Sequence, residues 1–350
     1  MRIALVMLHA DPARGGAERY TVDLAAALAR RGHDVRVVAS SFSDAVPVAM
    51  RVIVDASGIT RVGRYRNFLD DFDQHLTEAK YDIVHAMLPV RRCDVYHPHA
   101  GMAAAALVKA NRLFNPRRGA MAKVERYLLN SGKPPVVLSL SEYSKKDVIK
   151  YYPQLPADRL ATLFNAVDLT RFEPQPRAKH DYVGGLFIGQ DFARKGLAQA
   201  LTAASMLKEP RLKITVVGKT SAKFHAPADA GAQVSFAGEV ADPRPFYRDA
   251  DFFVLPTRHD PCSLVVLEAL AMGVPVISTR FNGACEIMTD GVHGYMLDDP
   301  EDVNALAQAM RKMLDPRLRA EMSLACLELR PKLSYEHHLD QLEEIYRGVT

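Results

Sequence analysis

Residues 260–294 read DPCSLVVLEALAMGVPVISTRFNGACEIMTDGVHG and decide the fold. The pattern predicts a small-residue turn, a helix from about Ser263 to Met272, and, after Gly-Val-Pro, a buried strand from Val274 to Thr279. Asp260 stands before this helix, and Glu268 lies more than one turn inside it. Because α/β proteins present helix amides to a phosphate and a carboxylate to a ribose in this way, the stretch predicts a nucleotide site.

The N-terminal part of the chain alternates strand and helix. A continuous apolar run from Arg2 to Leu8 is typical of a strand that is buried on both faces. Gly15 and Gly16 follow, then a predicted helix from about Ala17 to Arg30 and a strand from Val35 to Ala39. These elements form one βαβ unit.

The same alternation resumes after residue 180, so the sequence predicts two parallel-sheet α/β domains. The predicted strands are 182–188, 212–217, 234–237 and 252–255, and the predicted helices are 195–207 and 243–248. Prolines and charges interrupt the periodicity between Glu173 and Asp181, which indicates a linker. The predicted organisation is an N-terminal domain (1–172), a linker (173–181) and a C-terminal domain (182–330). A last helix (331–350) could pack back on the N-terminal domain.

Composition narrows the class of protein. The chain has 350 residues, of which 48% are hydrophobic and 25% charged, as in globular proteins with sizeable cores. The net charge of +4 is too small to indicate nucleic-acid binding. The four cysteines are far apart in the sequence, which argues against a zinc site and against a disulfide framework. It favours a protein of a reducing compartment. No apolar run reaches the ~18 residues of a membrane span, and we therefore expect a cytoplasmic protein.

Two glycine-containing loops are candidates for phosphate binding. Gly15-Gly16 lies between a strand and a helix, where parallel-sheet proteins bind ligands, but without G-x-G-x-x-G it is equally compatible with a plain tight turn. GQDFARKG, residues 189–196, places Arg194 and Lys195 at the start of the predicted helix, where cations oppose the helix dipole. A bound diphosphate would explain that placement, although a solvated basic turn has the same pattern.

Other polar side chains allow two interpretations each. Glu268 could bond ribose hydroxyls or be an ordinary helix carboxylate, and its apolar neighbours predict that it needs a partner. His97 and His99 follow a predicted strand. No carboxylate or cysteine stands at a spacing that completes a metal site with them, so hydrogen bonding to a polar substrate is favoured over metal binding. Structural histidines remain the alternative.

Residues 104–130 form a basic amphipathic stretch with a single acid, Glu125. This pattern is typical of a helix on an anionic membrane surface, and equally of a helical hairpin with a core face and solvated cations. The cations are Lys109, Arg112, Arg117, Arg118, Lys123 and Arg126.

Together these motifs resemble the retaining, GT-B-fold glycosyltransferases of family four. That family's pattern is an acid, seven residues and Glu-Ala-x-Ala-x-Gly-x-Pro-Val, followed by Gly-x-x-Glu-Ile and a Gly-x-x-Gly turn. The matching stretches here are Asp260, Glu268 to Val276, Gly283 to Ile287, Gly291 to Gly294, Gly15 to Arg19, Asn165 to Phe172 and Arg194 to Gly196. Within the family, Gly189 to Gly196, Asp94-Val-Tyr and the basic stretch look like the lipopolysaccharide-core glucosyltransferases.

The resemblance implies two Rossmann-like parallel-sheet domains with an interdomain cleft. It also implies retaining, metal-independent transfer of a hexose from a nucleotide diphosphate sugar, a UDP-sugar being favoured, to a hydroxyl acceptor. The implied acceptor is a lipopolysaccharide or another glycan or glycolipid, with no cofactor beyond the co-substrate and with an anionic membrane surface as a further candidate partner. The alternatives are a nucleotide-sugar epimerase of the same fold and a non-catalytic nucleotide-sugar binding protein; an NAD-dependent oxidoreductase is disfavoured because G-x-G-x-x-G is absent.

The resemblance also implies residue roles. Arg194 and Lys195 would neutralise the diphosphate, Glu268 would hold the ribose, and Asp260 would contact the donor sugar. His99, or failing that His97, would face the reacting sugar, which makes His99, His97, Asp260, Arg194 and Lys195 the candidate catalytic residues. The candidate donor-binding residues are Gly15, Gly16, Gly189, Arg194, Lys195, Glu239, Val240, Asp260, Cys262, Ser263, Leu264 and Glu268.

Asp260 departs from the family pattern, which usually has Glu at this position. The missing methylene shortens the reach of the carboxylate by about 1.5 Å. Unless a small backbone shift restores the contact, the donor pose or the donor itself is expected to differ from that of relatives with Glu.

Overall fold

The computed structural model describes residues 1–99, 101–109, 116–176, 180–219 and 233–350. The chain divides into two compact units. The first comprises Met1–Phe164 and His338–Thr350, and the second comprises Asn165–His337. The range 173–181, predicted as a linker, falls within the second unit.

The first unit consists of parallel strands with helical connections. Its strands are β1 (Arg2–Val6), β2 (His9–Ala10), β3 (Asp34–Ala39), β4 (Ser41–Phe42), β5 (Arg51–Ile53), β6 (Ile83–Ala86), β7 (Val95–Tyr96), β8 (Val136–Ser139) and β9 (Leu160–Thr162). Its helices are α1 (Gly16–Arg30), α2 (Arg61–Glu78), α3 (Ala103–Lys109), α4 (Pro116–Leu129) and α5 (Glu142–Tyr151).

The second unit repeats this alternation. Its strands are β10 (Val183–Ile188), β11 (Leu212–Val217), β12 (Gln233–Gly238), β13 (Phe252–Leu255), β14 (Val276–Thr279) and β15 (Gly294–Leu297). The helices that follow β10 in the chain are α6 (Phe192–Lys195), α7 (Leu197–Met206), α8 (Arg244–Asp249), α9 (Leu264–Ala271), α10 (Val303–Lys312), α11 (Pro316–Glu328), α12 (Arg330–Leu333) and α13 (Tyr335–Val349). From His338 onward, α13 belongs to the first unit.

Each unit is built on one main sheet whose neighbouring strands are all parallel. The order in the first unit is β5-β3-β1-β6-β7-β8-β9, and the order in the second is β12-β11-β10-β13-β14-β15. Strands such as Ile83–Ala86 and Phe252–Leu255 are buried along their whole length. Continuous burial explains why they read as apolar runs rather than as alternating patterns.

Gly196 changes one predicted helix into two. The predicted helix 195–207 is interrupted because Gly196 adopts φ +80°, a left-handed conformation that ends α6 before α7 begins at Leu197. Arg194 and Lys195 therefore end a one-turn helix rather than beginning a long one. The two cations lie at the C-terminus of α6 and directly before the start of α7, so the expectation that they oppose a helix dipole applies to α7 and not to α6.

The basic stretch forms helices α3 and α4, which pack against each other. Arg112 lies outside the described residues. The apolar side chains of α4 point into the core: Met121 and Val124 pack against one buried cluster, and Leu128 belongs to another. Tyr127 remains exposed on the solvent face, as do the cations Arg118, Lys123 and Arg126. In the described part of the stretch, the apolar side chains of α4 thus form the core face that the helical-hairpin interpretation predicted.

Glu125, the single acid of that stretch, is fully buried within this hairpin. Its carboxylate accepts hydrogen bonds from the hydroxyls of Tyr96 (3.0 Å) and Tyr152 (2.9 Å) and from the amides of Ala103 and Ala104. Burial raises the pKa of Glu125, and these four donors oppose that change.

Over the described residues, no helix is both long and apolar enough to cross a bilayer.

Candidate active site

The second sheet brings two distant loops together at its switch point. The chain leaves β10 for β11 and β12 on one side and returns to β13 on the other, so the loops that follow β10 and β13 start side by side. Ligands bind at such points in open parallel sheets. A Cβ at Gly196 would overlap the carbonyl oxygen of Pro256, so glycine is required for the two loops to touch.

Lys195 and Asp260 form a buried ion pair across these loops. The Lys195 ammonium lies 2.5 Å from Asp260 Oδ2 and 3.4 Å from Ser263 Oγ. Each of the two charged residues is only 9% exposed. Gly189, at the end of β10, leaves room for this arrangement, because a Cβ there would lie 3.3 Å from Lys195 Cγ.

Arg194 supplies a second cation on the solvent side of the pair. Its guanidinium donates to the carbonyl of His259 at 2.6 Å and lies 3.7 Å from Asp260 Oδ2 and 3.2 Å from Asp191 Oδ2. Two cations and one buried carboxylate therefore meet at the switch point. The exposed Asp191 carboxylate balances the second cation formally, but solvent screens it, so Arg194 and Lys195 can still donate charge-assisted hydrogen bonds to an anionic ligand.

Helix α9 begins beside this cluster, as the sequence predicted, but one of its amides is occupied. The amide of Ser263 donates to Asn282 Oδ1 at 3.2 Å, so it is not available to a phosphate. The amides of Leu264 and Val265 lie in the first turn, where no intrahelical acceptor exists. The sequence thus predicted the helix start to within one residue, but the amide of Ser263, a candidate donor-binding residue, is already hydrogen bonded.

Two asparagines hold the turn before α9, and sequence reasoning gave neither of them this role. Asn165 donates to the carbonyl of Cys262 at 3.1 Å. Asn282 also accepts from Ala284, donates to Ser278 Oγ and forms a β-bridge with Asp260. The Asn282-Gly283 pair after a strand was the available signal, because Asn at such a position caps backbone N–H groups.

Glu268 has the partner that its apolar surroundings predicted. The hydroxyl of Tyr247, a fully buried residue of α8, lies 2.8 Å from Glu268 Oε2 and 3.1 Å from the carbonyl of Val265. Burial raises the pKa of Tyr247 well above its usual value, and the neighbouring Glu268 raises it further. Tyr247 therefore stays protonated and orients the Glu268 carboxylate.

The loops that follow β11 and β12 lie along the same edge of the sheet. The Gly189 amide donates to Val217 O at 3.0 Å, and the Gly218 amide donates to Gly238 O at 2.8 Å. Glu239 and Val240 follow Gly238 directly, two strands away from β10, which is about 10 Å at normal strand spacing. That spacing suits a nucleobase beside a diphosphate.

Gly15 and Gly16 lie at the start of α1 in the first unit. Gly15 has φ 169°, an extended conformation open to any residue, and a Cβ there would lie 3.1 Å from Glu18 Oε2. Gly16 is the first helical residue, so its N–H group and those of the next two residues have no intrahelical acceptor, whereas the Arg19 amide donates to Gly15 O. The geometry thus offers amides at this helix start without requiring a special glycine conformation.

His97 and His99 belong to a cluster of rings inside the first unit. Their ring centroids are 4.2 Å apart, and the Tyr20 ring lies 4.2 Å from His99 and 5.5 Å from His97. His85 stacks on His97 at 5.3 Å. Both ring nitrogens of His97 and Nε2 of His99 are buried without a hydrogen-bond partner within the described residues.

Burial determines the charge of these histidines. It lowers the pKa of His97 and His99 well below the usual value, and the neighbouring histidines lower it further. Both imidazoles are therefore neutral at neutral pH and suited to hydrogen bonding. In the part of the chain that the structure describes, no three His, Cys, Asp or Glu side chains are grouped to hold a metal ion.

Comparison with known proteins identifies the family. The family described as "Glycosyltransferase Family 4" matches residues 14–171, and "Glycosyl transferases group 1" matches residues 183–316. The chain belongs to glycosyltransferase family four. The predicted family and the predicted fold class, two Rossmann-like parallel-sheet units of the GT-B type, are both confirmed.

Three relatives illustrate the similarity of this family-four glycosyltransferase to known proteins. The D-inositol 3-phosphate glycosyltransferase of Thermobifida fusca (strain YX) is 28% identical over 99% of this chain and 93% of its own length. The lipopolysaccharide glucosyltransferase WaaG of Escherichia coli (strain K12) is 28% identical over 86% of each chain. A crystal structure of WaaG has a TM-score of 0.78 at 24% identity, with 94% and 95% coverage. Anabaena HepE, solved with UDP and glucose, has a TM-score of 0.73 at 17% identity, covering 98% of each chain.

Replacement of Tyr247 by phenylalanine is expected to raise the KM of this glycosyltransferase for its donor about tenfold, with kcat changed less than about twofold. The ring still fills its buried position, but Glu268 loses a hydrogen bond to a charged group, worth about 1.5 kcal/mol. Steady-state kinetics measure the split. Tyr65→Phe is the matched control, because its buried hydroxyl donates to Pro89 O in the first unit and should leave donor KM unchanged. Equal donor KM values for Tyr247→Phe and wild type would remove Tyr247 from the site.

Proposed function

We propose that this glycosyltransferase moves a hexose, with retention and without a divalent metal, from a UDP-sugar to a hydroxyl of a glycan. The observation that carries the proposal is the meeting of Lys195 and Arg194 at the switch point of the second sheet, beside the start of α9. Negative charge develops on the leaving diphosphate during sugar transfer. Fixed cations and helix amides at that point stabilise the charge most in the transition state.

Each donor group has a candidate partner in the second unit. Lys195 and Arg194 neutralise the diphosphate together with the Leu264 amide, and Glu268, oriented by Tyr247, accepts from the ribose hydroxyls. Glu239 and Val240 meet the base through backbone groups. Asp260 accepts from hydroxyls of the donor sugar. HepE, which shares the fold and was solved with UDP and glucose, supports a uridine donor.

Retention is proposed to follow same-face attack rather than a covalent glycosyl-enzyme. A double displacement needs a carboxylate that is available as nucleophile. The Asp260 carboxylate is paired with Lys195 and Arg194, which lowers its nucleophilicity, and the Glu268 carboxylate is assigned to the ribose rather than to the reacting sugar. Lys195 and Arg194 also supply the positive charge that a divalent metal would otherwise provide. Neutral His99, or His97, would hydrogen bond to the reacting sugar.

The acceptor is proposed to be an anionic glycan, such as a phosphorylated lipopolysaccharide core. The relative WaaG is a lipopolysaccharide glucosyltransferase. In the first unit, Arg14 follows β2, Arg61 begins α2, and Arg117 lies in the first turn of α4, which packs on α2. Burial lowers the pKa of Arg117, and Arg61 and Arg14 lower it further. None of the three forms an ion pair with another described residue, which leaves them available to an anionic acceptor.

Replacement of both Arg61 and Arg117 by glutamine is expected to raise the KM for a phosphorylated core oligosaccharide at least tenfold. Two charge-assisted hydrogen bonds to phosphate would be lost. Acceptor kinetics with the oligosaccharide, before and after phosphatase treatment, measure the effect. The donor KM should not change, and the treated oligosaccharide should not distinguish the variant from wild type. An equal rise for both acceptors would contradict an anionic acceptor.

A cytoplasmic, peripheral position on an anionic membrane surface remains part of the proposal. It is supported by the exposed cations Lys123 and Arg126 and the exposed ring of Tyr127, which is 66% accessible. Because the apolar face of α4 is used in the core, attraction would be electrostatic rather than by insertion. Flotation with liposomes tests this, since equal recovery with neutral and anionic lipid would exclude it.

A donor screen by calorimetry tests the proposed reaction most directly. UDP and a UDP-hexose are expected to bind, and sugar transfer to the acceptor should retain the anomeric configuration when followed by NMR. Binding of a UDP-sugar with its conversion in the absence of any acceptor would favour an epimerase. Binding without turnover under all conditions would favour a nucleotide-sugar binding protein, and no binding of any nucleoside diphosphate or its sugar would falsify the proposed donor chemistry.

A further inference from the structure

Asp260 already neutralises the cation that the proposed function gives to the diphosphate. Its Oδ2 atom lies 2.5 Å from the Lys195 ammonium and 3.7 Å from the Arg194 guanidinium. The backbone holds it there: the Asp260 amide donates to Phe281 O at 2.8 Å, and Asp260 O accepts from Gly283 at 2.9 Å. The carboxylate is therefore a fixed and nearly buried anion at the switch point.

A carboxylate and a diphosphate cannot both have full use of the same ammonium group. Lys195 has three donor hydrogens, and Asp260 Oδ2 and Ser263 Oγ already lie within reach of them. A diphosphate that approaches Lys195 also comes within a few ångströms of the Asp260 charge. Like charges at that range in a poorly solvated site repel each other strongly, because solvent screening is weak there.

We propose that Asp260 is an internal counter-anion of Lys195 that competes with the diphosphate and so weakens the binding of free nucleoside diphosphate relative to the sugar donor. This inference rests on the proposed function, in which Lys195 binds the diphosphate. A donor sugar compensates Asp260 by donating hydroxyl hydrogen bonds to it, whereas free UDP brings only further negative charge. Asp260 thus sets donor specificity and speeds release of the nucleotide product.

The shorter side chain at position 260 fits this role. In the family pattern the acid is usually Glu. Here the shorter side chain of Asp260 ends at Lys195, with its Oδ2 atom in contact with the ammonium. The loss of one methylene was expected to change the donor pose, and in this structure the Asp260 carboxylate lies on the Lys195 ammonium. A site that has its own counter-anion also keeps Lys195 paired while no donor is bound, which avoids an unpaired buried charge.

The test compares calorimetric affinities for UDP and UDP-glucose in wild type and Asp260→Asn. The variant is expected to bind UDP about tenfold more tightly, while its preference for UDP-glucose over UDP falls by at least the same factor. In the kinetics, the inhibition constant of UDP should fall more than the donor KM. Asp260→Ser repeats the comparison with a smaller side chain in case the asparagine variant does not fold.

Asp191→Asn is the matched control. It removes one negative charge beside the same arginine, since Asp191 Oδ2 lies 3.2 Å from Arg194 Nε, but that carboxylate is 57% exposed and well screened. UDP affinity should change less than twofold. Equal or weaker UDP binding by folded Asp260 variants would overturn the inference and leave the proposed function intact. Failure of wild type to bind any nucleoside diphosphate would instead overturn both.

Discussion

Replacement of Lys195 by alanine is expected to abolish measurable diphosphate binding and to lower kcat/KM by about a thousandfold, or ~4 kcal/mol. Lys195 is 9% exposed, and its ammonium lies 2.5 Å from Asp260 Oδ2. Without it, the leaving diphosphate loses a buried cation, and Asp260 keeps only Arg194, at 3.7 Å. The site then presents an under-compensated carboxylate to an anionic ligand. Calorimetry with UDP and steady-state transfer kinetics measure both effects.

Lys312→Ala is a suitable control for the loss of one positive charge. Lys312 is exposed at the end of α10, where it lies over the Tyr295 ring. It should leave UDP affinity and transfer unchanged, while thermal melting shows whether each variant is folded. Near wild-type affinity in folded Lys195→Ala would exclude Lys195 from the diphosphate site.

The first unit is expected to lose stability steeply as the pH falls below about 6.5, the usual pKa of an unfolded histidine. Burial lowers the pKa of His85 to about 3 and the pKa values of His97 and His99 well below 6.5. These folded-state values lie below the unfolded one, so the contribution of each neutral imidazole to stability is complete above pH ~6.5 and is lost as the pH falls. Below that pH, each histidine lowers the free energy of unfolding by up to ~1.4 kcal/mol per pH unit. The three together lower it by roughly 4 kcal/mol per pH unit.

Such a loss is large against a typical unfolding free energy of about 5–15 kcal/mol. Protection factors of peptides from the first unit, measured by hydrogen exchange at pH 7.5, 6.5 and 5.5 and corrected for the intrinsic exchange rate at each pH, should fall in the segment 83–99. The His85→Phe variant should take up about one proton fewer than wild type when it unfolds at low pH, so its stability should depend less on pH. It also loses the 2.7 Å hydrogen bond to Tyr346, which lowers stability at every pH. Protection in the first unit that is independent of pH after correction for the intrinsic exchange rate would contradict neutral burial of these rings.

Local sequence patterns predicted much of the fold. Strands such as 252–255 could be placed because a parallel strand covered on both faces needs an unbroken apolar run. Helix α9 was predicted within one residue at each end, because Ser263 and Gly273 bound an apolar segment. The break at Gly196 was missed, since a glycine inside a helical pattern does not reveal its own φ angle.

The contacts within the site were less predictable. The sequence indicated that Glu268 needs a partner but not that Tyr247, which is 21 residues earlier, would provide it. It indicated an amide-rich start for α9 but not that Asn282 would occupy the Ser263 amide. These contacts join separate loops, and their geometry depends on which strands are neighbours.

The sequence by itself determined the two parallel-sheet units and suggested the residue types of the proposed donor site, because apolar periodicity and glycine positions act locally. Only the tertiary structure decided that Asp260 pairs with Lys195, 65 residues away in the chain. The physical reason is the strand order: β13 pairs with β10, so the loops that follow them meet at the switch point. That pairing turns a motif acid into a buried counter-ion.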